Sequence, residues 1–306
     1  MICPTGVYST AEQLPADLLT TVGTRQPEQS VLMVDPSHFS VDYIINPHMR
    51  DKEGNPHVVD RLKAVDEHQE LQGLYERLGY DVRLIQARAD LPDMVFVANQ
   101  SFPFVNDCGA RSVLLSAMAH PERQGEVDLL EAYYRSEGYE IHRFTELPIG
   151  ESMEGMGDVL WWPGKRLLVA GYGFRTSLGA LRQVASIVAA PLVALELVDE
   201  RYYHLDMALT FLGDETALWN PSAFSSASRY CLQELVPELL ESQEDADRIG
   251  FSCNAHAPRT GEVLLDTGLK LTCDQLRSRG YDVHSVDVSE FHKAGGSVFC
   301  LKMMLP

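Results

Sequence analysis

A cysteine, a histidine and several carboxylates in the second half of the chain are the residues whose types suggest covalent chemistry. Cys300 stands in FHKAGGSVFCLKMMLP, where Gly295 and Gly296 permit a tight turn. The apolar run 297–305 around it reads as a buried strand that would hold the thiol rigidly. His204 and Asp206 alternate with Leu205 and Met207 in YYHLDMALTFL. On a strand, positions i and i+2 share a face, so imidazole and carboxylate would project together. In MEGMGDVLWWPGKRLLVAGYGFRTS, Glu154 and Asp158 flank Gly155-Met156-Gly157 and lead into a hairpin-like strand pair. Such glycines let carboxylates approach a ligand closely. A thiol with an imidazole and acidic partners can do nucleophilic catalysis. Each residue also has a plainer reading: free cysteine packs as a small hydrophobe, His204 and Asp206 can satisfy each other in a core, and Asp158 suits a turn.

Taken in chain order, Glu154, His204-x-Asp206 and Cys300 resemble the guanidine-modifying branch of the pentein superfamily. That branch holds arginine deiminases, dimethylarginine dimethylaminohydrolases, amidinotransferases and arginine dihydrolases. HFSVDYIINPHM, DMVFVANQ, HPERQGE, EGMGDVL, GYGFRTS, YYHLDM and KAGGSVFC follow the family's order over nearly the whole chain. The resemblance implies an α/β fold, a five-bladed propeller with pseudo-fivefold symmetry, as one catalytic domain over 1–306. It implies an active site on the central axis and no cofactor or metal. Cys300 would be the nucleophile, His204 the acid and base, Glu154 the group that orients His204, and Asp206 the grip on guanidinium nitrogens. Arg123 and Arg175 would bind the substrate's α-carboxylate, and Asn46 would touch substrate. Read locally, Arg123 is a helix-start charge and Asn46 a turn residue before Pro47.

Asn99, in MVFVANQ, separates the subfamilies. Where deiminases and dimethylaminohydrolases place an aspartate, this chain has an amide, as the dihydrolases do. An ionised carboxylate only accepts hydrogen bonds, whereas an amide also donates. A site with Asn99 can therefore hold a neutral ureido carbonyl as well as a cationic guanidinium. The expectation is a cysteine-dependent hydrolase of C–N bonds, an arginine dihydrolase that takes arginine to ornithine, carbon dioxide and ammonia through a covalent thiouronium. A dimethylaminohydrolase or deiminase giving citrulline, an amidinotransferase and a non-catalytic pentein-fold binding protein stay open. Gln100 and SFPFVNDCGAR depart from the short glycine-containing stretch expected there, which leaves the exact guanidine substrate open.

Composition bounds these readings. A chain of 306 residues, 45% of them hydrophobic, can bury a substantial core. Its 44 acidic and 25 basic residues give a formal charge of -19, which opposes docking on nucleic acid or anionic membrane and mildly favours cationic small molecules. Six cysteines without a C-x-x-C pair fit a reducing cytoplasm. Cys253-x-x-His256 offers two metal ligands, too few for a zinc site. MICPTGVYSTAEQLPADLL lacks a basic leader with an apolar core, and no run of about eighteen apolar residues occurs. The expectation is a soluble cytoplasmic protein, compatible with a homo-oligomer.

The elements that must position the site follow from periodicity. A polar lead-in over 1–29 precedes a strand at SVLMVDP, a loop at HFSVDYIINPHMRDKEGNPH, and an amphipathic helix over 59–78 stopped by Gly79. YDVRLIQ, DMVFVAN and RSVLLSAM read as strands, and His120-Pro121 opens a helix through VDLLEAYYRSEG. Strands at EIHRF, DVLWWP and RLLVAGY, a helix over SLGALRQVASIVA, and strands PLVALEL, HLDMALTFL and TALWN come next. A helix over 226–240, a strand-loop-strand in GFSCNAHAPRTGEVLLDTG, a helix over LTCDQLRSRG and a strand at YDVHSVDV lead to Cys300. A helix closing on Gly-Tyr before a strand recurs at YDVRLI, YEIHRF and YDVHSV, a weak internal repeat. GYGFRTSLG does not match the dinucleotide-binding glycine pattern.

Overall fold

Three Gly-Tyr junctions end three helices by the same device. Gly79, Gly138 and Gly280 take positive φ values of 85°, 76° and 87°. The following tyrosines return their N–H to the carbonyls of Tyr75, Tyr134 and Leu276, while the glycines bond Glu76, Arg135 and Arg277. This left-handed glycine cap satisfies the last carbonyls of a helix and turns the chain back into a strand. The computed structural model describes residues 5–28, 30–243, 245, 249–259 and 261–306; Cys3 lies outside them.

The repeat extends further than those junctions. Among the described residues, five sheets share one topology, in which a strand pairs antiparallel with the next and, after a helix, that second strand pairs parallel with a third. One set is Ser101–Val105, Arg111–Leu115, helix Pro121–Ser136 and Glu140–His142. The next is Val159–Trp161, Leu168–Tyr172, helix Leu178–Val188 and Leu192–Glu196. Leu209–Phe211, Thr216–Trp219, helix Ser226–Leu235 and Glu238–Glu241 form the third. His256–Arg259, Glu262–Asp266, helix Lys270–Ser278 and Asp282–Val286 form the fourth. The fifth joins the two ends: Met303–Leu305 lies antiparallel to Ser30–Val34, which after helix Arg61–Arg77 pairs with Asp81–Ile85.

Two repeats escape the Gly-Tyr pattern for local reasons. Helix Leu178–Val188 is capped by Ala189 in the left-handed region, φ 53°, and Ala190 still returns its N–H to Ala185. Helix Ser226–Leu235 stops well short of the expected 240 because Pro237 follows, and residues 238–241 become a strand. Helix Arg61–Arg77 buries Ala64, Glu67, His68, Leu71, Leu74 and Tyr75 at helical spacing, but of the apolar positions Leu62, Val65, Leu71, Leu74 and Leu78 that suggest the helix in the sequence, Leu62 is exposed. The middle strand of this helix's sheet, paired on both sides, is buried and apolar over Val31, Leu32, Met33 and Val34, whereas its parallel edge partner Asp81–Ile85 is partly exposed.

Three expected strands are not strands. DMVFVAN holds a 3-10 turn at Pro92–Val95, which starts on the φ-restricted proline. His204 caps a second such turn, Leu205–Met207, whose first N–H goes to the Asp158 carboxylate, and the strand begins only at Leu209. Cys300 lies in the turn before the strand Met303–Leu305. The polar lead-in contributes a short strand, Val7–Tyr8, parallel to Leu192–Glu196.

Ala189 is the one described non-glycine residue at positive φ. The left-handed conformation costs an L-residue about 1–2 kcal/mol, and glycine's extra unfolded-state entropy offsets part of that. Ala189→Gly should raise stability by about 0.5–1 kcal/mol in urea denaturation; an unchanged or lower midpoint would show that the alanine methyl compensates through packing.

Candidate active site

Glu154 is fully buried and is the hub of the polar cluster. It precedes the single turn Gly155–Asp158, and its backbone N–H donates to Thr176 Oγ1 at 3.1 Å. Its Oε1 accepts the Ala119 N–H at 3.0 Å. Its Oε2 meets His204 Nε2 at 2.7 Å and accepts from Arg175 at 3.2 Å. Burial alone would raise its pKa, but the Arg175 guanidinium and the His204 bond outweigh that and hold the carboxyl well below the usual range. Asp158 supports this hub from one turn further along the chain, where Oδ2 accepts the Thr176 hydroxyl at 2.7 Å and Oδ1 the Leu205 N–H at 3.0 Å. It thereby ties the turn that carries His204 to the turn that carries Glu154.

The glycines of EGMGD serve close packing of protein on protein. Gly155 has φ 50°, and a Cβ there would lie 2.5 Å from the Ser101 carbonyl and 2.6 Å from that of Ala98. A Cβ on Gly157 would collide with Asn99 Nδ2 and come within 3.3 Å of the His204 ring. They bring the Asn99 segment against His204 rather than opening space beside the carboxylates. Gly295 acts alike: at φ 89°, a Cβ would stand 2.7 Å from both Asn46 Oδ1 and the Tyr203 hydroxyl.

Cys300 belongs to a second, adjoining cluster. Its thiol donates to Asp206 Oδ2 at 3.3 Å and accepts from Asn254 Nδ2 at 3.2 Å. Asn254 Oδ1 accepts the N–H groups of Phe299 and Cys300, at 3.0 and 3.4 Å, so one side chain holds both the turn and the sulfur. Burial, then the Asp206 charge, push the Cys300 pKa well above an ordinary thiol's. Burial likewise raises Asp206 to about 7, and its Oδ1 has no partner among the described residues. Among the described residues no hydrogen bond joins His204 to Cys300; the Tyr203 ring, 4.8 Å from that of His204, stands beside both clusters, and the Tyr203 hydroxyl donates to the Gly295 carbonyl at 2.6 Å.

The cavity beside Cys300 is nearly closed, about 10 Å³, and Asn46, Asn99, Arg123, Arg175 and Tyr203 line it with the cysteine. Arg123 is already engaged: it forks onto Glu126, with NH2 at 2.8 Å, and NH1 donates to Asn99 Oδ1 at 2.9 Å. Glu126 also accepts from Gln100 at 2.5 Å. Because Arg123 fixes the amide oxygen, the Asn99 NH2 is oriented too, and it is buried with no partner among the described residues. Arg175 packs 4.8 Å over the Tyr203 ring and donates to the Ile45 carbonyl. Asn46 caps the turn Pro47–Met49 through Oδ1 and donates to the Ala294 carbonyl, the turn role legible locally. Asn254, Tyr203 and Glu126 escaped the sequence reading. Glu126 alone had a spacing to find it by, three residues after Arg123 on one helix. His256 faces the Tyr75 hydroxyl at 3.0 Å.

Residues 35–247 match the family model described as N,N dimethylarginine dimethylhydrolase, eukaryotic. The N(G),N(G)-dimethylarginine dimethylaminohydrolase of Mycobacterium tuberculosis is 37% identical over 296 residues, 97% of this chain and 91% of that one. The chain belongs to the dimethylarginine dimethylaminohydrolase family. Within the pentein superfamily, this family member is also 34% identical, over 89% of its length, to the bifunctional arginine dihydrolase/ornithine cyclodeaminase ArgZ of Synechocystis, of which the match covers only 37%. The crystallised N-terminal domain of ArgZ, bound to product, aligns with TM-score 0.81 at 32% identity, covering 92% of this chain and 98% of that one. A cysteine-to-serine variant of that domain was crystallised with substrate. The mixed α/β fold of this dimethylarginine dimethylaminohydrolase family member is thus shared with ArgZ.

The three most strained carboxyls, Asp93, Asp158 and Asp206, are each raised by burial to about 7. A carboxyl whose folded pKa lies above its unfolded value favours the folded state at low pH, and that advantage is lost as pH rises from about 4 to 7. Asp206→Asn should match the parent near pH 4 and exceed its stability by about 1–3 kcal/mol at pH 8, read by urea denaturation. An equal gap at both pH values would mean that Asp206 is not the titrating group.

Proposed function

We propose that this protein is a cysteine-dependent hydrolase of guanidine C–N bonds, and specifically an arginine dihydrolase. The observation that carries this reading is the buried NH2 of Asn99, a residue that lines the cavity with Cys300: it has no partner among the described residues and is held in orientation by Arg123 on the amide oxygen. A donor in that place suits a ureido oxygen, so a citrulline-level intermediate is retained for a second cleavage. The overall change is arginine plus two waters to ornithine, carbon dioxide and two ammonia. The likeness to ArgZ, whose cysteine variant was crystallised with substrate, supports the same assignment.

Without substrate the Cys300 thiol and Asp206 share a dry environment that disfavours charge on either. A guanidinium entering beside them supplies the missing positive charge, lets Asp206 ionise against its nitrogens and favours the thiolate. Cys300 gives its proton to His204 and the thiolate attacks the guanidinium carbon; the C–N bond breaks as His204 passes that proton to the departing ammonia, and a thiouronium forms on sulfur. His204 then takes a proton from the water that attacks the thiouronium carbon, the C–S bond breaks and the sulfur leaves as thiolate, while Glu154 orients the ring and stabilises its cationic form. Asn254 positions the sulfur. Arg175 and the remaining donor capacity of Arg123 receive the substrate carboxylate, with Asn46 on the cavity wall. The repetition of one strand order in five sheets supports a five-bladed propeller, one domain, with this cavity on its axis.

A dimethylaminohydrolase activity that stops at citrulline is the second reading, favoured by the match to the Mycobacterium tuberculosis enzyme over nearly the full length of both chains. Product analysis separates the two. The parent should give about two ammonia per arginine; if it stops at citrulline, the dihydrolase assignment is wrong. In Asn99→Asp, a carboxylate oxygen replaces the NH2 and meets the ureido oxygen acceptor to acceptor, a loss of about 1–3 kcal/mol. The variant should therefore leak citrulline, with the second cleavage slowed roughly tenfold to a hundredfold.

Cys300→Ser should abolish turnover while arginine still binds. His204→Asn should stall hydrolysis of the adduct, so that intact-mass measurement with arginine finds a covalent species on the protein. Normal turnover in the histidine variant would return His204 to a purely structural role.

A further inference from the structure

A second cavity is lined by Phe299 and Lys302, on either side of Cys300 in the chain. It measures about 370 Å³, inside the range of small-molecule sites, and shares no lining residue with the cavity at Cys300. Its walls are aromatic and apolar, with Tyr80, Trp161 and Phe299 among them, and Lys302, Arg25 and Arg259 bring positive charge. Lys302 is fully buried, and its Nζ has no hydrogen-bond partner among the described residues. That ammonium lies 3.2 Å from the centre of the Phe299 ring. The Arg25 guanidinium stands 5.1 Å over Trp161, and although it pairs with Glu28 at 2.6 Å, its Nε is buried without a partner among the described residues. Arg259 lies 6.0 Å over Tyr80 and bonds the Leu78 carbonyl at 2.8 Å.

Of the acidic groups that face the Lys302 ammonium, Asp206 and Cys300 are themselves pushed toward neutrality by burial and form no ion pair with it among the described residues, so its burial costs more than a single face-on aromatic contact returns. Glu28, already paired with Arg25, is the one acidic side chain on the cavity wall among the described residues. We propose that this second cavity binds a small organic carboxylate with a flat apolar body, the carboxylate pairing with Lys302 and the body lying among Trp161, Tyr80 and Phe299. The volume and the aromatic walls suit a body about the size of one or two rings, and the orphaned donors of Lys302 and Arg25 suit an anionic head. The site is independent of which guanidine is the substrate.

Lys302 faces Asp206, Cys300 and Glu28, and its charge acts on His256; burial lowers its pKa to about 7. Loss of the Lys302 proton removes the charge that pairs with the carboxylate, so anion affinity should fall as pH rises above 7, by up to about tenfold per unit, while the ligand itself stays ionised.

Calorimetry on the full chain with 3-phenylpropanoate and indole-3-acetate tests this, with 3-phenylpropanamide and inorganic phosphate as comparisons. One equivalent of either carboxylate should bind and the amide should not, and saturating arginine on Cys300→Ser should leave that binding in place. Lys302→Met should weaken it about tenfold or more; Arg259→Gln, away from the buried layer, should weaken it severalfold and keeps the test valid if Lys302→Met does not fold. Equal binding of acid and amide, displacement by arginine, or indifference to both substitutions would overturn the site. Phosphate binding with the same dependence, in the absence of carboxylate binding, would overturn the organic ligand.

Discussion

A carboxylate with no exposed surface survives in a protein only if its lone pairs are met, and Glu154 shows how completely this can be done. One oxygen takes a backbone N–H from Ala119; the other is shared by His204 and Arg175. Each partner comes from a different stretch of chain, so satisfying one buried charge fixes the relative positions of three segments. Asp158 repeats the logic one turn on, bonding Thr176 and the Leu205 N–H. The orientation of the His204 ring is therefore a consequence of charge burial, and whatever the imidazole does chemically it does from a preset pose.

The thiol cluster is built on the opposite principle. Among the described residues Asp206 keeps an unpartnered oxygen and Asn99 an unpartnered NH2, and Cys300 holds a thiol far from ionising. Such groups are destabilising in an empty protein; a cation would suit Asp206 and Cys300 and an acceptor oxygen the Asn99 NH2, which is the usual relation between folding stability and a polar site. The two clusters are thus complementary: one is saturated and rigid, the other incomplete until a ligand enters.

Much of this was legible in the sequence because it is local. Gly-Tyr junctions announced three of five repeats since a left-handed cap needs glycine; the fourth hides behind Ala189, which adopts that conformation without glycine's freedom, and the fifth behind Pro237. The residue types Cys300, His204, Glu154 and Asn99 pointed to nucleophilic chemistry, but the strands assigned to Cys300, His204 and Asn99 were wrong. Alternation in HLDMAL and the apolar run at 297–305 imitate strands, whereas the backbone there answers to long-range bonds, Leu205 to Asp158 and Phe299 to Asn254. Asn254 had no pattern to reveal it: a lone asparagine between a cysteine and an alanine is unremarkable until the fold brings it to the sulfur. The EGMGD glycines read correctly as sites of close approach, but what approaches is the Asn99 segment and His204.

The pairing of Met303–Leu305 with Ser30–Val34 bears on how the molecule reaches its native state. Four of the five sheets draw their three-strand cores from neighbouring segments, whereas this one waits for strands far apart in sequence, the kind of contact that forms late and slowly. Cys300 sits in the turn just before that closing strand. Its Asn254 and Asp206 neighbours can be in place in a chain that has not yet closed, with the sulfur still loose. A partly folded population should then carry an exposed, ordinary thiol, open to oxidation and to disulfide exchange, and lose that vulnerability only when the strand Met303–Leu305 pairs.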